Sequence, residues 1–214
     1  MARVKKGMLI AFEGGEGGGK STQIRRLVGW LRARGLPCEV TCEPGGTSVG
    51  KVIRRLLLHP KYKGLSPRAE LFLYLADRAQ HVDEAINGAL GAGKVVVSDR
   101  FSDSSTVYQG ICRDLGLKWT EQLNHFATAG LLPDLVIVLD VPVSEGLRRV
   151  VGRSKPDRLE QERASFHRRV RKGFLSLAKR HPSRYLVVNG TRTKEQVAEL
   201  ITERVQKELR RKGL

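Results

Sequence analysis

The sequence predicts an α/β fold in which a parallel sheet of five strands lies between layers of helices. Three observations predict it. Short apolar runs alternate with helical patterns along the chain, the order expected of crossover-connected parallel strands. Two of those runs, Val95-Val96-Val97 and Leu135-Val136-Ile137-Val138-Leu139, are unbroken, as in strands covered on both faces. No repeat, low-complexity tract or long linker divides the 214 residues, so a single domain spanning 1–214 is expected.

The elements follow in order. A first strand over 8–13 is Met8-Leu9-Ile10-Ala11-Phe12 ended by Glu13. A helix over about 20–34 carries Ile24, Leu27, Val28 and Leu31 at helical spacing, and Gly35 stops it. A strand over 37–42 precedes helices over 48–58 and 66–92, the second stopped by Gly93. The next strand, 94–99, ends in Asp99. After a helix over 119–130, Pro133 opens a strand over 134–140 that ends in Asp140. Helices over 144–152 and 158–181, a strand over 184–189 and a helix over 193–212 complete the chain. The last helix has its own apolar stripe of Ile201, Val205 and Leu209, so its basic residues read as a solvated face.

Between the first strand and the first helix stands Gly14-Gly15-Glu16-Gly17-Gly18-Gly19-Lys20-Ser21, a complete G-x-x-x-x-G-K-[ST] phosphate loop. Glycines let backbone N–H groups close around phosphate oxygens, and the helix N-terminus adds partial positive charge. Lys20 is placed to reach β- and γ-phosphates, and the Ser21 hydroxyl to hold Mg²⁺ delivered with ATP. In a parallel sheet, ligands gather at the carboxyl ends of strands. Asp99 and Asp140 both end strands, and either suits a second, carboxylate partner for the metal. Asp99 is followed by Arg100, Phe101 and the polar run Ser102-Asp103-Ser104-Ser105-Thr106, whereas Asp140 is followed by Val141-Pro142-Val143. Asp99 is therefore the expected metal-side acid and Asp140 a loop-capping residue.

Composition narrows the function classes. The formal charge of +17 favours anionic partners, but it is spread along the chain, with no arginine–aromatic interleaving or nucleic-acid-reading motif. Nucleotides rather than nucleic acid are expected. The most apolar stretch, Leu131 to Val143, contains Asp134 and Asp140 and is too short to span a membrane. Arg3, Lys5 and Lys6 precede an apolar run that Glu13 cuts short, so no signal peptide is expected. Cys38, Cys42 and Cys112 show no metal-ligand spacing and suit a reducing cytoplasm.

Six segments in order resemble bacterial thymidylate kinases: Phe12 to Thr22, Glu43-Pro44-Gly45-Gly46-Thr47, and Leu75-Ala76-Asp77-Arg78-Ala79-Gln80-His81 among them. The others are Asp99-Arg100-Phe101 through Ser104-Ser105 to Tyr108-Gln109-Gly110, Pro133-Asp134-Leu135 with Leu139-Asp140-Val141, and Asp157-Arg158-Leu159-Glu160. The resemblance implies a three-layer P-loop NTPase fold with a five-stranded parallel sheet flanked by helices, and a short lid at about 149–158. It implies phosphoryl transfer from ATP to thymidine monophosphate, for dTTP synthesis, by a homodimer.

It also implies residue roles. Gly14, Gly15, Gly17, Gly18, Gly19, Lys20, Ser21 and Thr22 would hold ATP, with Arg149 packing on adenine. Glu16, an acid inside an anion-binding loop, would hydrogen-bond the acceptor's 3′-hydroxyl. Gly17 resembles the type that lacks a loop arginine and supplies one from the lid, where Arg149, Arg153, Lys155 and Arg158 are the candidates and Arg153 resembles the catalytic one by position. Lys20, Arg100, Arg153 and Asp99 would form the catalytic set, with Ser21 and Asp99 on the metal. Arg54 and Arg100 would hold the acceptor phosphate, because a guanidinium fork fits phosphate geometry. Glu43, Ser104, Ser105 and Gln109 would complete the acceptor site, and Tyr108 would crowd the sugar 2′ position. Tyr74 and Arg78, four apart on one helix face, would stack on the base and reach its O4 edge. Tyr74 has a second reading as a core residue. Cys42 departs from the pattern, since many members place an arginine there. His81 with Asp77 and Asp83 reads as structural.

Overall fold

The structure, a computed structural model, describes residues 7–151 and 156–214. Its five strands are β1 (Met8–Glu13), β2 (Cys38–Cys42), β3 (Val95–Asp99), β4 (Leu135–Asp140) and β5 (Tyr185–Asn189). All pair in parallel in the order β2-β3-β1-β4-β5. The unbroken apolar runs are the central strands, and β1, β3 and β4 are buried along almost their whole length. Apolar side chains on the two faces feed two separate cores, one around Leu9, Val96 and Val136 and one around Ile10, Val97 and Ile137. This is the alternation of a pleated strand with both faces covered.

Helices α1 (Lys20–Arg32), α2 (Ser48–Leu58), α3 (Pro67–His81), α4 (Asn87–Gly91), α5 (Ser102–Ser105), α6 (Leu117–Ala127), α7 (Val143–Val150), α8 (Ala164–Arg180) and α9 (Lys194–Lys212) cover the sheet. The helical pattern expected over 66–92 is one continuous rod in which a π-helical turn, Val82–Ile86, joins α3 to α4.

Two features differ from the expectation. Residues 158–163 form a turn, and the helix begins only at Ala164. The Asp157 carboxylate causes this by accepting from the backbone N–H groups of Leu159 and Glu160, 2.8 Å each. The polar run after Asp99, where no element is expected, forms α5, continued by a π-helical segment, Thr106–Cys112. A distant carboxylate holds its N-terminus: Glu13 accepts from the N–H groups of Phe101 and Ser104.

β1 has β3 on one side and β4 on the other; the chain leaves β1 through α1 to β2 on one side, and the connection from β3 crosses β1 to reach β4 on the other. The register puts Phe12 beside Asp99, so the phosphate loop and the Asp99-Arg100 corner open at the same end of the sheet.

Candidate active site

At that end a cavity of about 970 Å³ runs from the phosphate loop to the inner faces of α3 and α5. Its walls include Gly17–Thr22 on one side and Tyr74, Arg78, Ser105 and Gln109 on the other, with Asp99 and Arg100 between them.

The loop is built from backbone conformations that side chains resist. Gly14, Gly17 and Gly19 all have positive φ. At Gly17 a Cβ would lie 2.1 Å from the carbonyl oxygen of Gly146, and a Cβ on Gly146 would lie 2.4 Å from that of Glu16. The loop and α7 thus meet backbone to backbone. Lys20 folds back across the loop, its Nζ 3.5 and 3.4 Å from the carbonyl oxygens of Gly14 and Gly15. Burial and the nearby Arg100 hold its pKa below the usual lysine range.

Glu16 turns away from the loop's interior. Its Oε1 accepts from Arg100 Nη2 at 2.7 Å and from the Tyr108 hydroxyl at 3.3 Å. Burial pushes its pKa up, but Arg100 and Lys20 outweigh that and hold the carboxyl below the usual range. Arg100 has φ 73°, left-handed for a non-glycine residue, which aims its side chain back over the loop. There it also donates to Gly14 O and Ser104 Oγ, both at 3.2 Å. Asp99 lines the cavity beside Lys20 and makes no ion pair among the described residues. Ser21 lines it as well, so one hydroxyl and one carboxylate face the same space, an oxygen donor set that suits Mg²⁺.

Asp140 does not cap a loop. It is bound by Arg171 through Nε at 2.6 Å and Nη2 at 2.9 Å, which corrects the sequence expectation. A forked ion pair at a strand end leaves that carboxylate committed.

The far end of the cavity is a polar lattice organised by α3. Arg78 is buried and gives four hydrogen bonds: to Glu43 Oε2 (2.8 Å), Ser105 Oγ (3.0 Å), Asn124 Oδ1 (2.6 Å) and Phe101 O (3.1 Å). A guanidinium has five N–H donors, so one remains. Glu43 is buried too, with its other oxygen accepting from His81 Nδ1 at 2.9 Å. It braces Arg78 rather than presenting a free carboxylate. Tyr74 belongs to both readings, packed in the core and lining the cavity. Arg54 and Arg55 are both exposed, but Arg54 alone of the two lines the cavity, donating to Pro44 O at 2.7 Å. Cys42 lines the cavity as well, and burial raises its thiol pKa.

Of the lid residues, Arg153 and Lys155 lie outside the described residues. Arg149 lines the cavity, donating to Gly17 O (3.3 Å), Gly190 O (3.1 Å) and Glu145. Arg158 is no lid cation. It is buried, with Nε donating to Leu57 O at 2.7 Å and Nη1 2.6 Å from Glu70 Oε2. Asp77 and His81 are buried, as a structural role requires, but Asp83 is exposed and stands apart from them.

Sequence reasoning missed Glu13. It is fully buried at the end of β1 and accepts from Phe101 N, Ser104 N and Ser104 Oγ, with Arg100 Nη1 4.0 Å away. Burial raises its pKa to about 7 against the pull of Arg100. The signal was present, since β1, like β3 and β4, ends in an acid. Glu70 and Asn124 were missed as well, and nothing local marks them.

A family model described as thymidylate kinase matches residues 12–201. The chain is 47% identical over 198 residues to a thymidylate kinase of Desulfosudis oleivorans, covering 89% of this chain and 92% of the relative. It is 52% identical over 191 residues to one from a Synechococcus strain, covering 89% and 90%. The crystal structure of thymidylate kinase from Ehrlichia chaffeensis superposes with a TM-score of 0.77 at 30% identity, covering 94% of this chain and 99% of that one.

Proposed function

From the premise that the chain belongs to the thymidylate kinase family and transfers a phosphoryl group from ATP to dTMP, giving dTDP, we propose how its residues divide that work. The observation that carries the reading is the single cavity joining the phosphate loop to the Arg78–Ser105–Gln109 wall, with Arg100 midway.

ATP lies along the loop, its phosphates taking the N–H groups of Gly17 to Thr22. Lys20 leaves its two long contacts with loop carbonyls for phosphate oxygens, a better acceptor for an ammonium. Arg149, on α7, borders the adenine side, and Arg153 is assigned the transition-state charge. Ser21 and Asp99 would hold Mg²⁺, which when bound neutralises phosphate charge. The acceptor lies with its phosphate between Arg54 and Arg100 and its sugar against Glu16 and Tyr108. Its base stands between Tyr74 and the edge formed by Arg78, Ser105 and Gln109. With two anions held in line, alignment and charge neutralisation are the main catalytic contributions.

A homodimer is proposed as well. Val49, Val52 and Leu56 on α2, Phe72 on α3, and Trp119 and Phe126 on α6 are large apolar side chains left exposed. These helices pack side by side, α2 on α3 and α3 on α6, so the residues supply an apolar face for a second copy. The three free cysteines fit a reducing compartment, which supports a cytoplasmic location for the enzyme.

The test is ADP release from Mg-ATP with each common nucleoside monophosphate and with none. Turnover confined to dTMP, with dUMP a poor second, is expected. Preference for another base would overturn the base site, and release without acceptor would overturn the acceptor site as a whole.

A further inference from the structure

Gln109 is almost fully buried, and its Nε2 donates to Glu70 Oε1 at 2.7 Å. A carboxylate can only accept, so this contact fixes which end of the amide is which. The reversed amide would set two oxygens against each other. Oε1 of Gln109 therefore remains for the cavity that the residue lines, and it makes no hydrogen bond among the described residues.

Glu70 is held in turn by two arginines. Arg158, from the turn before α8, approaches its Oε2 to 2.6 Å as an ion pair without hydrogen-bond alignment. Arg113, after the π-helical segment, donates to Oε1 at 3.4 Å and pairs with Glu162 at 2.6 Å. Glu70 itself is 1% exposed. It makes no contact with the space a nucleotide would fill and is absent from the cavity wall.

We infer that Glu70 is a positioning residue for base selection: by locking the Gln109 amide it presents an acceptor, and only an acceptor, to the base. Resting on the base placement proposed above, this deepens that reading. Thymine offers a donor at N3 flanked by two carbonyl acceptors. The wall answers with the Gln109 acceptor, the Ser105 hydroxyl free to donate while it accepts from Arg78, and the remaining Arg78 N–H. Cytosine carries an acceptor at N3, which would face the Gln109 oxygen unpaired.

Replacing Glu70 by Gln gives a defined outcome. The buried Arg158 requires the oxygen of the new amide, which leaves its NH₂ toward Gln109. Gln109 then turns its own oxygen to that NH₂ and its donor to the base. In E70Q the ratio of kcat/KM for dTMP to that for dCMP should fall about ten- to a hundredfold. E70D keeps an acceptor-only group and should keep the ratio. Equal losses on both nucleotides in E70Q, or a ratio lost equally in E70D, would mark a packing role and overturn the proposal. Q109A separates the two layers: an unchanged ratio there overturns the base placement and this proposal with it. A ratio that collapses in Q109A but not in E70Q overturns the role of Glu70 alone. In the unmodified enzyme, NMR keeps the proposal testable even if E70Q does not fold. The Gln109 side-chain amide protons should be protected from solvent exchange and shift little when dTMP binds. Free exchange would overturn the lock.

Discussion

Arg100 and Glu16 pair with each other, 2.7 Å between Nη2 and Oε1, in the wall of the cavity where both are assigned to the acceptor nucleotide. Tyr108 supports the pair from one side through its hydroxyl, and its ring lies 5.3 Å from the guanidinium carbon. Neither charge is left bare before substrate arrives. The acceptor must share these groups rather than find them free, and a planar fork with several donors permits such sharing.

Arg100→Lys keeps the charge and loses the fork. Contacts to Glu16, Gly14 O and Ser104 Oγ cannot all be made by one ammonium. Steady-state kinetics should show kcat/KM for dTMP lowered by about a hundredfold or more. A change below about threefold would remove Arg100 from the reaction.

Gly17→Arg should not convert this enzyme to one with a loop arginine. The new Cβ would meet the Gly146 carbonyl oxygen at 2.1 Å, and the backbone there is left-handed. The variant should lose about 1–3 kcal/mol of stability through forced displacement of α7. ATP affinity should fall with it, measured by titration calorimetry. Full stability in urea unfolding would show that α7 does not rest on the loop.

Glu13 sets a pH dependence of stability whose sign follows from its raised pKa. Between the ordinary value of 4.5 and about 7, the folded protein binds more proton at this site than the unfolded chain. Stability therefore falls as pH rises through that window and levels off above it. The contribution is on the order of 3 kcal/mol. Asp77, raised by burial to about 6, acts in the same direction, so the comparison with Glu13→Gln isolates the first term. Urea unfolding from pH 5 to 8 should show a shallower pH slope in the variant. Identical slopes would mean that Glu13 titrates normally.

Arg158→Ala separates the buried ion pair from a lid cation. Removing the guanidinium takes the closer of two cations from the Glu70 carboxylate, 1% exposed on its side chain, and leaves Oε2 unpaired with only Arg113 3.4 Å from Oε1. The expected loss is about 3–5 kcal/mol, against about 0–1 kcal/mol for an exposed lid arginine. Unfolding midpoints decide between them.

The strands and the phosphate loop were legible because their signals are local: unbroken apolar runs, and a glycine motif between a strand and a helix. The α5 segment was not. Ser102, Asp103, Ser104 and Ser105 are poor helix formers, and the group that fixes their first turn, Glu13, lies some 90 positions away. Arg158 reads as a lid candidate because it closes a segment that also holds Arg149, Arg153 and Lys155. Its burial depends on Leu57 and Glu70, contacts no window of sequence contains. Asp140 could be set aside as a metal ligand from its apolar successors, but its partner Arg171 could not be named.

The inner face of α3 is half polar, with Glu70, Asp77, Arg78 and His81 buried beside Leu71, Tyr74 and Leu75 while Phe72 is 61% exposed. Leu71, Tyr74 and Leu75 favour burying it, but the polar half is buried without penalty only once Glu43, Ser105, Asn124 and Arg158 stand in place to meet it. Those partners come from β2's end, α5, α6 and the turn after the lid, so α3 is the piece that must dock after the others. Its interactions should be absent from the rate-limiting step of folding. Substitutions at Asp77 or Asn124 should accelerate unfolding in stopped-flow traces and leave refolding nearly unchanged.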